Sequence, residues 1–269
     1  MTIFATGMSG TIGKYLGKEV HSINCDLGTP SEISRIGSFS ENDTLIHLAG
    51  IVGAANVEKN LETSRNINVT GSIRLAHEYL EGGGKRFIYI SSSHVYSKSS
   101  SKLHEDSELG PKSKYAEQKV ETESKLRDLF LGTTANLCIV RVFSVLDWDA
   151  QPFTLGGAIK RLAETPANSE LKNGDDVRDF LSPRRIAETI QSLAGVKGLP
   201  EILNLCSGVG LSVAEAATSM LVANGFPVPR TRIHSGTSEN PYIVGNNERI
   251  KKLLPDLDLR WTPTIAQIS

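Results

Sequence analysis

Residues 2–13 read TIFATGMSGTIG, and this stretch decides the fold. Its first four residues are rich in types that favour strands, and a helical pattern follows the last glycine. Strand, glycine-rich turn and helix, in this order, are the setting in which a glycine motif indicates dinucleotide binding. Gly7 would allow the tight turn, Gly10 would let a pyrophosphate approach the backbone, and Gly13 would let the helix pack close to the sheet.

The backbone of this turn is the expected phosphate site. We expect the free N–H groups around Ser9, Thr11 and Ile12, with the positive end of the following helix, to face the phosphates. The spacing is GxxGxxG rather than GxGxxG. Asp26 lies 19 residues after Gly7, close to the distance at which an acidic residue binds the adenosine ribose. It could equally lie by the adenine ring, so it does not separate NAD from NADP.

The run over residues 44–50 is predicted to be a buried parallel strand that ends in small residues. Leu48, Ala49 and Gly50 would let a cofactor lie across the carboxyl end of this strand, where open α/β sheets bind ligands. His47, within the apolar run, is predicted to be a packed core residue rather than a catalyst.

The next segments continue the alternation of helix and strand. A long helix is predicted from about residue 60 to residue 80, and the glycines at 82–84 end it. Residues 87–90 form the next predicted strand, and SSSHVY at 91–96 is its exit. Hydroxyl groups at the carboxyl end of such a strand point into the ligand crevice, although a plain polar turn would carry the same residues.

Tyr115 and Lys119 lie four residues apart in a predicted helix from Lys112 to about Leu131, so their side chains share one helix face. A free phenol has a pKa of about 10, and a neighbouring cation favours the phenolate. The pair is therefore suited to moving a proton on or off an alcohol or sugar oxygen. A solvated helix face is the alternative interpretation of the same spacing.

Strands and helices alternate through the first half of the chain, which predicts an α/β fold with a Rossmann-type, doubly wound parallel sheet. We expect residues 1–148 to form this dinucleotide-binding domain. Residues 149–269 are expected to be mainly a smaller substrate-binding lobe, with a helix over 183–193 and a strand over 202–206 returning to the first domain.

Composition limits the functional classes. The 269 residues carry a net charge of −1, which gives no indication of a nucleic-acid or membrane partner. The three cysteines, Cys25, Cys138 and Cys206, have no metal-ligand spacing, so no metal site is expected. They are typical of reduced thiols in a cytoplasmic protein. The chain begins directly with a strand pattern, and no signal segment is expected.

Eight motifs, taken together and in order, resemble the extended short-chain dehydrogenase/reductase family of NAD-dependent nucleotide-sugar epimerases, dehydratases and reductases. They are TGMSGTIG, LIHLAG, NINVTG, YISSSHVY, PKSKYAEQK, VRVF, VRDF and NLCSG. The resemblance implies a Rossmann fold with bound NAD or NADP, a nucleotide-sugar substrate and a Ser–Tyr–Lys active site. It also implies a homodimer formed through the helices predicted over 60–80 and 112–131.

Matching the motifs residue by residue places the catalytic roles on Ser92, Tyr115 and Lys119. Ser92 stands four residues before Tyr96, and its serine neighbours leave that assignment open by one residue. Lys119 would also hold the nicotinamide ribose, and Arg178 would bind the diphosphate of the sugar nucleotide. The resemblance gives further cofactor contacts at Asn68, Ser91, Tyr115 and Lys119, and substrate contacts at Ser93, His94, Ser144 and Arg178.

Departures from the family pattern narrow the reaction. Ser93 and His94 replace the Asp-Glu pair of the dehydratases, which argues against dehydration, and Ser144 replaces the Asn of many epimerases. The short segment between Gly13 and Leu45 is most similar to that of the 4-keto-6-deoxy-sugar reductases. We therefore expect NAD(P)-dependent reduction of a 4-keto sugar. The alternatives are an NAD-dependent nucleotide-sugar 4-epimerase and, on the same fold, a non-catalytic dinucleotide sensor.

Overall fold

The computed structural model of the protein describes residues 1–265, and a six-stranded parallel sheet lies at its centre. The strand order is β2-β1-β3-β4-β5-β9. These strands are β1 (Ile3–Thr6), β2 (Val20–Ser22), β3 (Thr44–His47), β4 (Arg86–Ser92), β5 (Asn136–Val142) and β9 (Ile202–Leu205). The remaining short strands are β6 (Ser144–Val145), β7 (Val177–Arg178), β8 (Phe180–Leu181), β10 (Leu211–Ser212) and β11 (Tyr242–Ile243).

Helices cover both faces of this sheet, which confirms the predicted α/β, doubly wound architecture. The first five are α1 (Pro30–Ile33), α2 (Ala54–Lys59), α3 (Leu61–Arg65), α4 (Ser72–Glu81) and α5 (Lys114–Phe130). The remaining four are α6 (Leu155–Glu164), α7 (Pro183–Leu193), α8 (Val213–Ala223) and α9 (Glu248–Leu253).

The central strands are apolar along their length because both of their faces are buried. In β4, residues Phe87, Ile88, Tyr89 and Ile90 alternate between two hydrophobic cores. Ile88 and Ile90 pack with α7, and Phe87 and Tyr89 pack in the core that contains side chains of α4 and α5. Strand β1 lies between β2 and β3, so the chain order reverses there and opens a crevice at the carboxyl ends of the strands.

The helix expected after the glycine turn is the clearest error of the sequence analysis. The structure has only a single 3₁₀ turn, Gly13–Tyr15, and β2 begins at Val20. The four residues between them, 16–19, leave no room for an α-helix of two or more turns. Helix α7 packs against the short turn instead, and the backbone N–H of Gly17 donates to the side chain of Gln191 at 2.9 Å.

The long helix predicted over 60–80 is present but interrupted. Residues Asn66–Gly71 form a π-helical segment between α3 and α4. Gly71 lies against the backbone of Leu27, where an added Cβ would be 2.4 Å from the Leu27 carbonyl oxygen. Single π turns inside helices are frequent at functional sites, and this one contains Asn68.

The C-terminal residues form a smaller body of two short sheets and two helices. Strands β10, β7 and β11 form one sheet, β6 pairs with β8, and α6 packs with α8. From this body the chain returns to the central sheet, where β9 pairs with β5 and α7 joins the core. The last four residues of the predicted lobe, 266–269, lie outside the described residues.

Asp179 connects the two bodies. Its fully buried carboxylate accepts hydrogen bonds from the N–H and hydroxyl of Ser207, both at 2.7 Å, and from the N–H of Gly208 at 2.9 Å. Burial raises the pKa of Asp179, and these hydrogen bonds oppose the rise. Since Asp179 precedes β8 and Ser207 follows β9, the carboxylate fixes the lobe to the end of the sheet.

Substitution of Gly7 should destabilise the fold more than substitution of another left-handed glycine. Gly7 and Gly37 both have positive φ, at 72° and 93°, which costs an alanine about 1–2 kcal/mol. A Cβ on Gly7 would also lie 2.7 Å from the Ala49 amide nitrogen, whereas none of the described atoms lies within 4 Å of a Cβ on Gly37. We expect Gly7→Ala to cost about 1–3 kcal/mol more than Gly37→Ala in urea denaturation. Equal losses would contradict this packing.

Candidate active site

The candidate catalytic residues meet at the carboxyl end of β4, where helix α5 passes beside the strand. Ser113 caps α5 by accepting the N–H of Ala116, so the helix begins just before Tyr115. The half-buried phenol of Tyr115 lies beside the hydroxyl of Ser92. Lys119 Nζ donates to the backbone oxygen of Ile90 at 2.7 Å and lies 5.9 Å from the centre of the Tyr115 ring.

Burial perturbs both titratable groups of this pair. It raises the pKa of Tyr115 to about 12, and the hydrogen bond from Ser92 offsets part of that rise. Burial lowers the pKa of Lys119 to about 8, and the charge of Glu123 opposes the fall. The pKa of Tyr115 therefore lies above its ordinary value and not below it as expected, because burial dominates. The phenol is therefore protonated near pH 7.

The three consecutive serines lie in different surroundings, so the structure separates their roles where the sequence could not. The hydroxyl of Ser92 lies beside Tyr115 and accepts the N–H of His94 at 3.3 Å. Ser91 was predicted to contact the cofactor, but its hydroxyl donates to buried Glu123 instead, because successive strand residues face opposite sides of the sheet. Ser93 begins a 3₁₀ turn and is only 2% exposed.

Three predicted substrate residues lie around one part of the crevice. Arg178 Nη2 donates to Asp176 at 2.8 Å, and the arginine side chain remains 16% exposed. The pKa of His94 is lowered, mainly because the surrounding protein excludes water and secondly because of the charge of Arg178. The His94 side chain itself is exposed to solvent. The Ser144 N–H donates to the backbone oxygen of Asp179, which follows Arg178. His94 therefore lies within reach of the Arg178 charge, and Ser144 lies in the strand that pairs with the residues after Arg178.

The glycine turn forms a cradle of the kind that a dinucleotide needs. An added Cβ on Gly13 would lie 2.2 Å from the Gly7 carbonyl oxygen, so the turn closes on itself, while Gly10 remains exposed. Within residues 1–265, the backbone N–H groups of Ser9, Thr11 and Ile12 have no hydrogen-bond partner. These features fit a pyrophosphate bound by the loop amides, without the helix dipole that the sequence predicted.

The segment after β3 forms the second wall of the cradle. The N–H of Ala49 donates to Thr6 Oγ at 3.2 Å, and Leu48 and Ala49 pack directly against Gly7. His47 is confirmed as a core residue, since its two ring nitrogens bond the hydroxyls of Thr6 and Ser72. Burial lowers the pKa of His47 to about 3, so the ring stays neutral.

Asp26 lies on an exposed turn four residues beyond β2. Its carboxylate accepts the N–H of Gly28 at 2.9 Å and the hydroxyl of Thr29 at 2.8 Å, and the first of these bonds is the main cause of its lowered pKa. The local role of this carboxylate is therefore to shape the turn before α1. The structure leaves its predicted contact with the adenosine as a hypothesis.

Asn68 uses its whole amide group inside the protein. Its side-chain oxygen accepts the N–H of Ile51 at 2.7 Å, and its nitrogen donates to the Ile51 oxygen and to Gln118, both at 2.9 Å. It thereby fixes the segment after Gly50 and links it to α5. These bonds give Asn68 a supporting role behind the site, and its predicted direct contact with a cofactor remains a prediction.

Two residues of the site region were missed by the sequence analysis. Glu123 and Arg141 form a buried ion pair directly behind Ser91 and Lys119, with Arg141 Nη2 2.6 Å from Glu123 Oε2. Glu123 continues the four-residue spacing of Tyr115 and Lys119, and Arg141 is a lone charge in an apolar strand. Both signals were available in the sequence, because a charge in such a strand requires a buried partner.

Comparison with known proteins identifies the family. The model of the NAD dependent epimerase/dehydratase family matches residues 9–206, which is more than half of the chain. The chain belongs to this family. The predicted resemblance to extended short-chain dehydrogenases/reductases is thereby confirmed. Its members are NAD(P)-dependent enzymes of nucleotide sugars, and the cradle described above fits that cofactor class.

Curated relatives include a 4-epimerase and a 4-dehydrogenase of nucleotide sugars. A UDP-glucose 4-epimerase of Azospirillum brasilense is 26% identical and covers 88% of this chain and 73% of its own length. A GDP-6-deoxy-D-talose 4-dehydrogenase of Aggregatibacter actinomycetemcomitans is 24% identical and covers 99% of this chain and 95% of its own length.

Solved structures confirm the fold. RMD from Pseudomonas aeruginosa, solved with NADPH, superposes with a TM-score of 0.82 at 21% identity, over 98% of this chain and 94% of that one. The UDP-glucose 4-epimerase of Thermotoga maritima gives a TM-score of 0.79 at 18% identity, over 98% and 94%. Across residues 1–265 we find no helix with the length and apolarity needed to span a bilayer. The same residues contain no cluster of three or more side chains suited to a metal ion.

Loss of the Asn68 amide should weaken both the fold and the cofactor cradle. Asn68→Ala leaves buried polar groups of Ile51 and Gln118 unpaired, which should cost about 1–3 kcal/mol in urea denaturation. Because Ile51 follows Gly50 directly, we also expect weaker binding of NADPH by fluorescence titration. Asn56→Ala, which removes one exposed bond to Val52, is the matched control and should change stability by less than about 0.5 kcal/mol. Similar behaviour of the two variants would contradict this role.

Proposed function

We propose that the protein is an NAD(P)-dependent oxidoreductase that reduces a 4-keto group on a nucleotide-linked, 6-deoxy-type sugar. The observation that carries the proposal is the pairing of Ser92 with a protonated Tyr115 at the carboxyl end of β4, with Lys119 one helical turn away. Reduction of a ketone needs a hydride and a proton. The nicotinamide supplies the hydride when bound, and Tyr115 supplies the proton.

In this mechanism each residue has a separate role. The Ser92 hydroxyl donates a hydrogen bond to the C4 oxygen, where negative charge develops during reduction. Tyr115 transfers its proton to the same oxygen. The positive charge of Lys119 stabilises the phenolate that remains. Reduction starts from the neutral phenol, which is the form that burial favours.

The short segment between Gly13 and Leu45, in the domain expected to bind the cofactor, also favours a reductase over an epimerase. A reductase must release oxidised cofactor in every turnover, whereas an epimerase retains and recycles its NAD. The cradle has unpaired loop amides but only a 3₁₀ turn behind them, so it lacks the aligned dipole of a full helix. That dipole contributes about 0.3–1 kcal/mol to anion binding at a helix N-terminus. Its absence supports a more readily exchanged cofactor.

At the sugar-nucleotide end, Arg178 is the proposed diphosphate ligand. Its guanidinium is anchored by Asp176 and remains partly open to solvent. Planar guanidinium groups suit two-point contact with phosphate oxygens. The neighbouring His94 and Ser144 would contact the substrate beside it. A relative of similar length is named a GDP-6-deoxy-D-talose 4-dehydrogenase, which supports chemistry at carbon 4 of a nucleotide-linked sugar.

Tyr115→Phe should abolish turnover while leaving the cofactor in place. The variant removes only the phenolic oxygen, so we expect reduction of a GDP- or dTDP-linked 4-keto-6-deoxy sugar to fall by about 10³-fold or more. Binding of NADPH, followed by fluorescence, should stay within about twofold of the parent protein because the ring remains. Full activity in the variant would overturn the mechanism.

The rate of reduction should fall on the alkaline side. The pKa of Tyr115 is about 12 and that of Lys119 is about 8. As the pH rises, Lys119 therefore loses its proton before Tyr115 does. Below the pKa of Lys119 the ammonium is charged, and kcat should be constant; above it, kcat should fall as the charge is lost. Lys119→Met should lower kcat and remove this step, and Lys114→Met, on the exposed face of the same helix, should keep it.

Identification of co-purified dinucleotide separates the two reactions. The protein is purified without added cofactor and denatured, and any released dinucleotide is measured by mass spectrometry. We expect an empty protein that binds NADH or NADPH reversibly. Stoichiometric bound NAD would instead favour the 4-epimerase. A protein that neither contains nor binds a dinucleotide would overturn the assignment of the glycine cradle.

A further inference from the structure

The end of β4 is joined to helix α5 at three successive residues. Each of them contacts a side chain on one face of the helix, and the three side chains are spaced four residues apart. The contacts are Ile90 with Lys119, Ser91 with Glu123, and Ser92 with Tyr115. Along β4, the contact between Ser91 and Glu123 lies between the contacts made by Lys119 and Tyr115. Neither Ser91 nor Glu123 has a role in the proposed chemistry.

Glu123 is itself held by strand β5. Arg141 donates to both of its carboxylate oxygens, with Nε at 3.1 and 3.2 Å and Nη2 at 2.6 Å. The two side chains are 4% and 3% exposed. Arg141 is also the direct neighbour of Ser91 in the parallel register of β4 and β5. One carboxylate therefore fixes the helix to two adjacent strands.

The charge of Glu123 also acts on Lys119. The ammonium group faces the rings of Tyr89, at 4.6 Å, and Tyr115, and lies near the neutral ring of His47. Within the described chain, Glu123 is the acidic group whose charge favours the protonated form of Lys119 against burial. Removal of this carboxylate would leave burial unopposed.

We propose that Glu123 is a positioning residue of the active site: together with Arg141 and Ser91, it holds α5 in register with the end of β4 and keeps the Lys119 ammonium charged and in place. This inference rests on the proposed proton-transfer role of Tyr115 and Lys119. A purely structural ion pair would stabilise the fold but would leave the titration of Lys119 unchanged. The two roles are therefore separable by experiment.

The test measures the titration of Lys119 directly and needs no substrate. The folded protein is acetylated with trace acetic anhydride at a series of pH values, and labelling of Lys119 relative to the exposed Lys125 is measured by mass spectrometry. We expect a midpoint near pH 8 in the parent protein. In Glu123→Gln the midpoint should move down by about one pH unit or more. The control is Glu117→Gln, because Glu117 lies on the same helix in an exposed ion pair with Lys114. This variant should leave the midpoint of Lys119 unchanged.

A second variant tests register without a change in charge. Ser91→Ala removes the hydroxyl that joins β4 to Glu123 and retains the ion pair. We expect an unchanged midpoint but several-fold faster acetylation of Lys119, because the contact that shields it is loosened. If Glu123→Gln does not fold, Ser91→Ala alone tests the proposal. A rate of Lys119 acetylation in Ser91→Ala equal to that of the parent protein overturns it.

The remaining outcomes separate this proposal from the proposed function. An unchanged midpoint in folded Glu123→Gln overturns the positioning role and leaves the reductase assignment intact. Failure of the parent protein to reduce any 4-keto sugar nucleotide contradicts the reductase assignment, while the labelling result still stands. Where the parent is active, kcat of Glu123→Gln should fall at least about tenfold with NADPH affinity within about twofold, and an unchanged kcat also overturns the positioning role.

Discussion

The buried ion pair between Arg141 and Glu123 is the contact on which the arrangement of the active site depends. An exposed pair such as Lys114–Glu117, on the same helix, is worth about 0–1 kcal/mol. Breaking a buried pair by removal of one partner costs about 3–5 kcal/mol, because the other charge is left in an apolar interior. Helix α5 is therefore fixed against β4 and β5 by an interaction that solvent does not screen.

The crevice on the other side of Tyr115 depends on close approach of backbones. Gly7 and Gly13 bring the turn after β1 against the segment after β3, and Asn68 fixes that segment from behind. Asp179 performs a comparable task for the smaller lobe through buried hydrogen bonds to the loop after β9. The proposed cofactor and substrate sites thus lie between surfaces that are each held by one buried polar side chain.

Much of this organisation could be predicted because its physical signals are local. Buried parallel strands are apolar along their length, and the spacing of Tyr115 and Lys119 places both on one helix face. The direction of each serine at 91–93 could not be predicted, because it depends on the register of β4 with its neighbours. The missing first helix could not be read from the glycine pattern alone. It reflects how soon β2 begins and how α7 packs against the turn.

The π-helical segment Asn66–Gly71 has a consequence for the length of the chain. An α-helix turns by about 100° per residue, so one additional residue in a turn rotates everything beyond it relative to everything before it. Asn68, within the segment, faces Gln118 on α5, while Ser72, just beyond it, faces His47 on β3. The number of residues in this helix, and not only their identity, therefore determines which side chains support the cofactor cradle and which enter the core.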